Sequence, residues 1–492
     1  MRVPSLVLLL AACTHQAVDP VEDEEVLAAA LVQDDLHPSL PQSGRIDLGP
    51  PEAHTQASSD AFFPELSAYA HPNHPLLILV EAHCEPDCDL EITVNGPGVV
   101  RRVIASDGAA PHQRVVVPGL RQSSPYEVSV VANGVYGERF ERSYTVMTGA
   151  LDFVPPSRKV TTPGPLGGVL LTAGNYEIEG TNQALYMAID NEGYVVWFHH
   201  FPSIATMPPQ IRQREDGTFL LLSTSAARIV DIEGNIKQRF WERNGDGTWH
   251  HDATETPDGN LLAMVEEDLD VGTEGEPLVL IGDGVAEYNR HNHIEQYWSS
   301  VETLDTERFP GPLARMEIGH LRDWTHGNAV TMLPDGKRYA VSLRHQSHVV
   351  VIDRETAEIE WILGEGGDFD LMVGTWFNAQ HDPSFLDGGE VLVYDNGTER
   401  HDFEGGAGTR VVKYRLDETT MEAWQTWSWD LPVYTPFVGG AQALEHGSVL
   451  VTAGGRLDGA GSFYLVGEGG ELMWAMNVRG TLVFRGMLTD HL

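Results

Sequence analysis

A chain of 492 residues exceeds what one hydrophobic core organises, so two or more domains are expected. Its net charge of -41 repels nucleic acid and anionic lipid, and it gives an anionic substrate no help outside a local cationic pocket; nucleic-acid partners are disfavoured. Fifty glycines and 29 prolines separate short β-branched runs, and no long stretch repeats apolar residues at helical spacing, so the chain reads as all-β.

Arg2 precedes an apolar run over 6–12 that ends in Leu10-Ala11-Ala12-Cys13. This is an export signal too short to span a bilayer as a helix. A cysteine directly after small residues resembles a bacterial lipobox, which makes 1–13 a lipoprotein signal peptide and Cys13 the lipidated first residue of the mature chain. An ordinary secretory signal is the alternative. The lipoprotein reading predicts an exported protein tethered to a membrane without crossing it, facing the periplasm or on the outer-membrane surface. The polar, acidic stretch 14–56 reads as a flexible tether. Beyond it stand Cys84 and Cys88, whose spacing in an exported chain suits a local disulfide; no second pair follows at zinc-site spacing.

Residues 57–150 read as a small immunoglobulin- or fibronectin-like β-sandwich. Alternating runs such as 76–81, 90–94 and 126–131 are punctuated by turns such as Asn95-Gly96 and Asn133-Gly134. Pro118-Gly119-Leu120 followed by Tyr126 suggests a tyrosine corner. From 151 to 492 a unit recurs at a period of roughly fifty residues: a tight turn, a hydrophobic strand, an acidic-glycine turn and often a closing tryptophan. Trp197, Trp241, Trp298, Trp361, Trp427 and Trp474 mark six such units. The pattern predicts a six-bladed β-propeller.

Within a propeller the innermost strands line one channel. His251, His326 and His381 precede Asp258, Asp335 and Asp387 by seven, nine and six residues, which puts all three near the start of an innermost strand, at one rim. The returning strands end at Arg344 and at Asp395-Asn396 on the same rim. A single histidine is more often structural, but three at equivalent positions beside an arginine make a site for anionic chemistry. Neutral imidazole is a nucleophile, and a guanidinium is a planar fork of donors for a tetrahedral oxyanion.

The segments Asp323-Trp324-Thr325-His326-Gly327-Asn328, Ser342-Leu343-Arg344-His345-Gln346 and Gln380-His381-Asp382 resemble the signature segments of the bacterial arylsulfate sulfotransferases. The resemblance spans the propeller and is compatible with the sandwich before it. It implies transfer of a sulfuryl group from a phenolic sulfate ester to a phenol, with no nucleotide donor, no cofactor and no metal, through a sulfohistidine. Carried over by motif, His381 is the nucleophile. His326, Asn328 and Arg344 hold the sulfuryl oxygens, and His251 completes the pocket, although His250 beside it leaves that assignment open by one residue. A protonated His326 or His251 would protonate the departing phenolate. The partners implied are small aryl sulfates and phenols; homodimerisation is left open. Some members carry a short cysteine pair ahead of the nucleophile, and 364–379 has none. Trp324, Trp376 and Phe377 lie near the site in sequence, as ring-recognition groups or simply as packing. The competing readings are a non-catalytic surface propeller that binds a ligand or partner, and a metal-dependent hydrolase, against which Arg344 beside the histidines counts.

Overall fold

A computed structural model describes residues 64–492 apart from 203–208, 224–225, 242–247, 274, 403–407 and 491. The expected signal peptide and tether, with Cys13, fall outside the described residues. What is described is nearly all β.

The first unit is organised by one long strand, Ile78–Gly96. Its first half pairs with Glu65–Ala70 and Ala110–Val117, and its second half pairs with Val99–Ala105 and Pro125–Gly134. Arg139–Met147 joins the outer edge. The core between them holds Ile78, Val80, Ile92, Val128 and Val130. Cys84 and Cys88 are joined by a disulfide where the strand passes from one set of partners to the other. The buried Tyr126 hydroxyl donates to Pro97 O at 2.8 Å and accepts from Arg121 N at 2.8 Å, the corner bond that the sequence predicts there.

Among the described residues six sheets follow, antiparallel except for one parallel edge pairing in the third and one in the fifth. They occupy 169–202, 210–241, 249–299, 327–364, 381–430 and 440–479, with added edge strands. The first sheet takes its last strand, Gly486–Thr489, from the end of the chain, and the sixth takes Ser157–Thr162 from before the first. Each sheet packs face to face on the next, and the sixth packs on the first through Phe463 and Trp474 against Leu170 and Leu185. Strands inside this cycle are covered on both faces, so they read as continuous apolar runs rather than alternating ones; His348–Asp353 and Val449–Ala453 are buried almost throughout.

Three of the six repeating tryptophans share a job; Trp241 is 41% exposed, and the buried Nε1 atoms of Trp298 and Trp361 bond to no turn among the described residues. Trp197 Nε1 donates to Ile232 O at 2.7 Å, Trp427 to Glu468 O at 3.1 Å and Trp474 to Asn191 O at 3.0 Å. Each indole therefore crosses to the acidic-glycine turn of the next sheet, burying its ring in the seam and satisfying its one donor there.

The strands nearest the middle are Gly486–Thr489, Gln210–Gln213, Trp249–Glu255, Gly327–Met332, His381–Leu386 and Gly440–Ala443, each contacting its neighbours in turn. They meet at one buried guanidinium. Arg485 Nη1 donates to Asp252 Oδ2 at 2.7 Å and to Gln210 Oε1 at 3.1 Å; Nη2 donates to Asn328 O at 3.1 Å; Nε lies 3.1 Å from Asp382 Oδ1. Asp382 Oδ2 accepts from Ala441 N at 3.1 Å, bringing in the last strand. Asp252 also accepts from Arg212 at 2.7 Å and from Val330 N at 3.1 Å. Gly440 has no Cβ because one would sit 2.3 Å from Asp382 Oδ2.

The N-terminal unit docks on the seam around the first sheet. Leu76 and Leu77 enter the cores on its two sides, and Arg121 pairs with Asp190 at 2.6 Å. Glu233 of the second sheet takes a two-pronged contact from Arg114 and a bond from His71 at 2.7 Å. The bond from Arg114, opposed by burial and aided by His71, lowers the Glu233 carboxyl from 4.5 to about 2.

Two predictions follow from these contacts. A depressed carboxylate stabilises the fold fully above its unfolded value and loses that contribution as pH falls through its folded one. Glu233→Gln should therefore lower stability above pH 4.5 and flatten the acid-unfolding curve between pH 4.5 and 2, read by tryptophan fluorescence; an unchanged curve would remove Glu233 from the docking. Asp252→Asn should cost about 3–5 kcal/mol in denaturant unfolding, because it strands Arg485 among buried partners.

Candidate active site

Three of the middle strands enter through an irregularity. Pairing shifts between Trp249 and Ala253, between Gly327 and Ala329, and between His381 and Ser384. At the same places His251, His326 and Asp382 adopt positive φ of 51°, 48° and 49°. Bulges of this kind turn a side chain out of the ladder, and left-handed backbone at non-glycine residues persists only where surroundings enforce it. The result is a histidine cluster. The His251 ring lies 5.1 Å from His326, and His326 stacks on His345 at 4.6 Å. Phe484 sits between, 6.2 Å from His251 and 6.3 Å from His381. Of the adjacent pair, His251 joins the cluster, and His250 stands behind it against Asp283.

Each ring's partners define its protonation. The Asn396 amide nitrogen donates to Thr435 O at 2.8 Å and Val438 O at 3.0 Å, so its Oδ1 must be the atom 2.7 Å from His381 Nδ1. Nδ1 therefore carries the hydrogen and Nε2 the lone pair, which accepts from Val438 N at 3.2 Å. Burial and then the nearby Arg344 guanidinium push His381 well below the ordinary imidazole value. His381 is thus neutral, with a defined lone pair on Nε2.

His345 donates from Nδ1 to Asp323 O at 2.6 Å and accepts on Nε2 from Arg344 Nη1 at 2.8 Å. Burial lowers it to about 3. It is a neutral prop for the guanidinium, whose Nη2 donates to Pro436 O at 2.9 Å. His326 donates from Nδ1 to the Asp323 carboxylate at 2.5 Å. Burial opposes the charge on Asp323, but His326 and His345 hold it below the usual carboxylate range. Asp323 is delivered by Leu321–Asp323, which pairs in parallel with Val279–Ile281. Asn328 is fully buried and donates to Gln380 O at 2.8 Å, so it grips the backbone just before His381.

One loop holds the surroundings of His381 together. Thr435, Pro436 and Val438 give carbonyls to Asn396 and Arg344, and Val438 gives its amide to His381. Val438 pays with a φ of 47°, a costly setting for a β-branched residue. Gly327 is required beside His326: a Cβ there would come within 2.3 Å of Met264 and 2.7 Å of Asp283.

Asp323, His326 and His345 each offer a ligand atom within 4.8 Å of the others. A cation there would face Arg344 and would compete with the bonds to Asp323 O and from Arg344 that already use both His345 nitrogens. The arrangement reads as a hydrogen-bond network for an anion.

Among the residues named from sequence, His251, His326, Arg344 and His381 meet here, and Asn328 lies under them. Trp324, Trp376 and Phe377 pack instead: Trp324 is fully buried with Nε1 donating to Arg308 O at 2.9 Å, and Trp376 and Phe377 lie against Tyr414. The aromatic ring at the cluster is Phe484. Asp283, Asp323, Phe484 and the 435–438 loop were not assigned roles from sequence. The one signal for Asp252 and Asp382 is the repeated pair His251-Asp252 and His381-Asp382 on two middle strands.

The chain spans about half the length of the curated relative it matches. That relative is the arylsulfate sulfotransferase AssT of Escherichia coli O6:H1, 22% identical over 284 residues, which are 44% of this chain and 46% of that protein. Among solved structures, the periplasmic gluconolactonase PpgL of Pseudomonas aeruginosa is 13% identical, with a TM-score of 0.36 over 82% of this chain and 99% of that one. A quinoprotein alcohol dehydrogenase-like protein of Bacteroides thetaiotaomicron is 9% identical, with a TM-score of 0.33 over 89% of this chain and 100% of its own. The family model described as Arylsulfotransferase (ASST) matches residues 141–465, which include the whole histidine cluster except Phe484, and the chain belongs to that family.

Proposed function

We propose that this protein is an aryl sulfotransferase that moves a sulfuryl group from a phenolic sulfate ester to a phenol through a sulfohistidine on His381. The six sheets are read as the six blades of one propeller with the site near its axis. The observation that carries the reading is the neutral, buried His381 with Asn396 on Nδ1, its lone pair on Nε2 and Arg344 close enough to depress its basicity. In the first half-reaction Nε2 attacks sulfur, the bond from sulfur to the aryl oxygen breaks, and the phenolate leaves. Arg344, propped by His345, offsets charge on the sulfuryl oxygens, and the Val438 N–H passes from Nε2 to one of them. In the second half-reaction a phenol takes the sulfuryl group and the electron pair returns to Nε2. We propose further that the chain is exported and anchored through a lipidated Cys13, so that the exchange takes place outside the cytoplasm.

Brief exposure of the signal-less protein to 4-nitrophenyl sulfate should add the mass of one sulfuryl group and release one equivalent of nitrophenol, and His381→Ala should do neither. No adduct and no phenol release from several aryl sulfates would turn the reading to a propeller that only binds. Asn396→Ala should keep the fold but slow adduct formation about 10²-fold, since His381 then populates the wrong tautomer. An unchanged rate, read by stopped-flow nitrophenol release, would leave Asn396 a packing residue.

A further inference from the structure

The transfer leaves a proton to account for. The departing phenolate needs one before it leaves as a phenol, and the acceptor phenol must give one up, so a group in the site has to lend a proton between half-reactions. His381 is unsuited, since its only hydrogen is held on Asn396.

Behind His251 lies a three-membered chain. His250 Nδ1 and His251 Nδ1 are 2.9 Å apart, a separation at which they share one hydrogen. His250 Nε2 is 3.1 Å from Asp283 Oδ1, an ion-pair contact, and Asp283 Oδ2 is fixed by Thr325 Oγ1 and by Gly327 N at 2.6 Å. Glu266 adds to the negative field on His250. The groups facing His251 are His326, His381 and Arg485, all of which disfavour charge on it. The pair is therefore polarised. Burial opposes charge on His250, but Asp283 and Glu266 prevail and raise it above the ordinary value, whereas burial, then the neighbouring histidines and Arg485, hold His251 well below it.

Resting on the sulfotransferase reading, we propose that Asp283 and His250 are a proton store that acts through His251. His250 is the positioning residue; His251 is the catalytic donor and acceptor. With the shared hydrogen on His250, the Nδ1 lone pair of His251 is occupied, and its hydrogen stands on Nε2, the reverse of the tautomer that Asn396 imposes on His381. As the bond from sulfur to the donor oxygen breaks, that oxygen takes the Nε2 hydrogen of His251, and His251 Nδ1 takes the shared hydrogen from His250. The imidazolium charge on His250 is discharged by this step. In the second half-reaction the acceptor phenol gives its proton to His251 Nε2, its oxygen bonds to sulfur, the bond from sulfur to His381 breaks, and the hydrogen on Nδ1 returns to His250. Protons balance over the cycle.

The test compares donors whose phenols differ in acidity, by single-turnover phenol release from phenyl sulfate and from 4-nitrophenyl sulfate. Nitrophenolate leaves without a proton and phenolate does not. For His250→Asn and Asp283→Asn the loss with phenyl sulfate should exceed the loss with 4-nitrophenyl sulfate by about 10²-fold or more, within the range of general acid catalysis. A group whose value is raised is protonated up to a higher pH, so Asp283→Asn should also move the alkaline fall of the phenyl sulfate rate to lower pH. Equal losses with the two donors, or an unmoved limb, would overturn the proposal and leave both residues structural. A wild-type protein that releases phenol from neither donor would instead sink the sulfotransferase reading itself.

Discussion

The guanidinium of Arg485 is the constraint on which the rest depends. A buried charge is tolerated only when its desolvation is offset by close partners, and here the partners come from separate sheets: Gln210, Asp252, the Asn328 carbonyl and Asp382. Packing in the seams is apolar and insensitive to small sliding of one sheet on the next. The bonds to Arg485 are directional, so they fix depth and register where the seams do not. His251 and His381 immediately precede Asp252 and Asp382, and Asn328 follows His326 by two residues. The same bonds that gather the strands therefore place the histidine cluster.

The site is specified from behind. Imidazole has two nitrogens, and its chemistry depends on which one holds the hydrogen. In His381, His345 and His250 one nitrogen faces a partner whose polarity is fixed independently: Asn396 by two carbonyls, the Asp323 carbonyl by being backbone, Asp283 by two donors. Residues that never touch a substrate thus decide which rings offer a lone pair and which offer a hydrogen. The 435–438 loop does the same for Arg344 and His381 together. Strain at Val438 is the local cost of bringing two carbonyls and an amide to bear on one spot.

Much of this was legible in the sequence, because the repeat has a physical cause. At three of the seams the closing tryptophan bonds to the acidic-glycine turn of the next sheet, as with Trp197 and Ile232. Spacing from the turns placed His251, His326 and His381 at one end of their strands, and all but the detail of the bulges followed. What was not legible depends on closure. Arg485 directly precedes the strand that completes the first sheet only after the chain has travelled round the other five, so no local pattern marks it. The 435–438 loop contains no residue type that announces chemistry, since it acts through its backbone. Trp324, Trp376 and Phe377 stay open in the sequence, because proximity to a site says little about direction, and all three turn into the packing.

The balance of charge at the centre explains how so acidic a chain can hold an anion. Arg344 and Arg485 stand against Asp252, Asp283, Asp323 and Asp382, so the middle of the fold is not a simple basic pocket. The carboxylates are spent on arginine, on backbone N–H groups and on the far nitrogens of His250 and His326, so imidazole nitrogens rather than carboxylate oxygens stand on the near side of those rings. With a net charge of -41 the outer surface offers no attraction at long range. Recognition then falls to oriented N–H groups at contact distance, which act on charge developing during transfer more than on a passing anion. In the proposed reaction, a site built this way trades speed of encounter for selectivity between the resting ester and the transferring group.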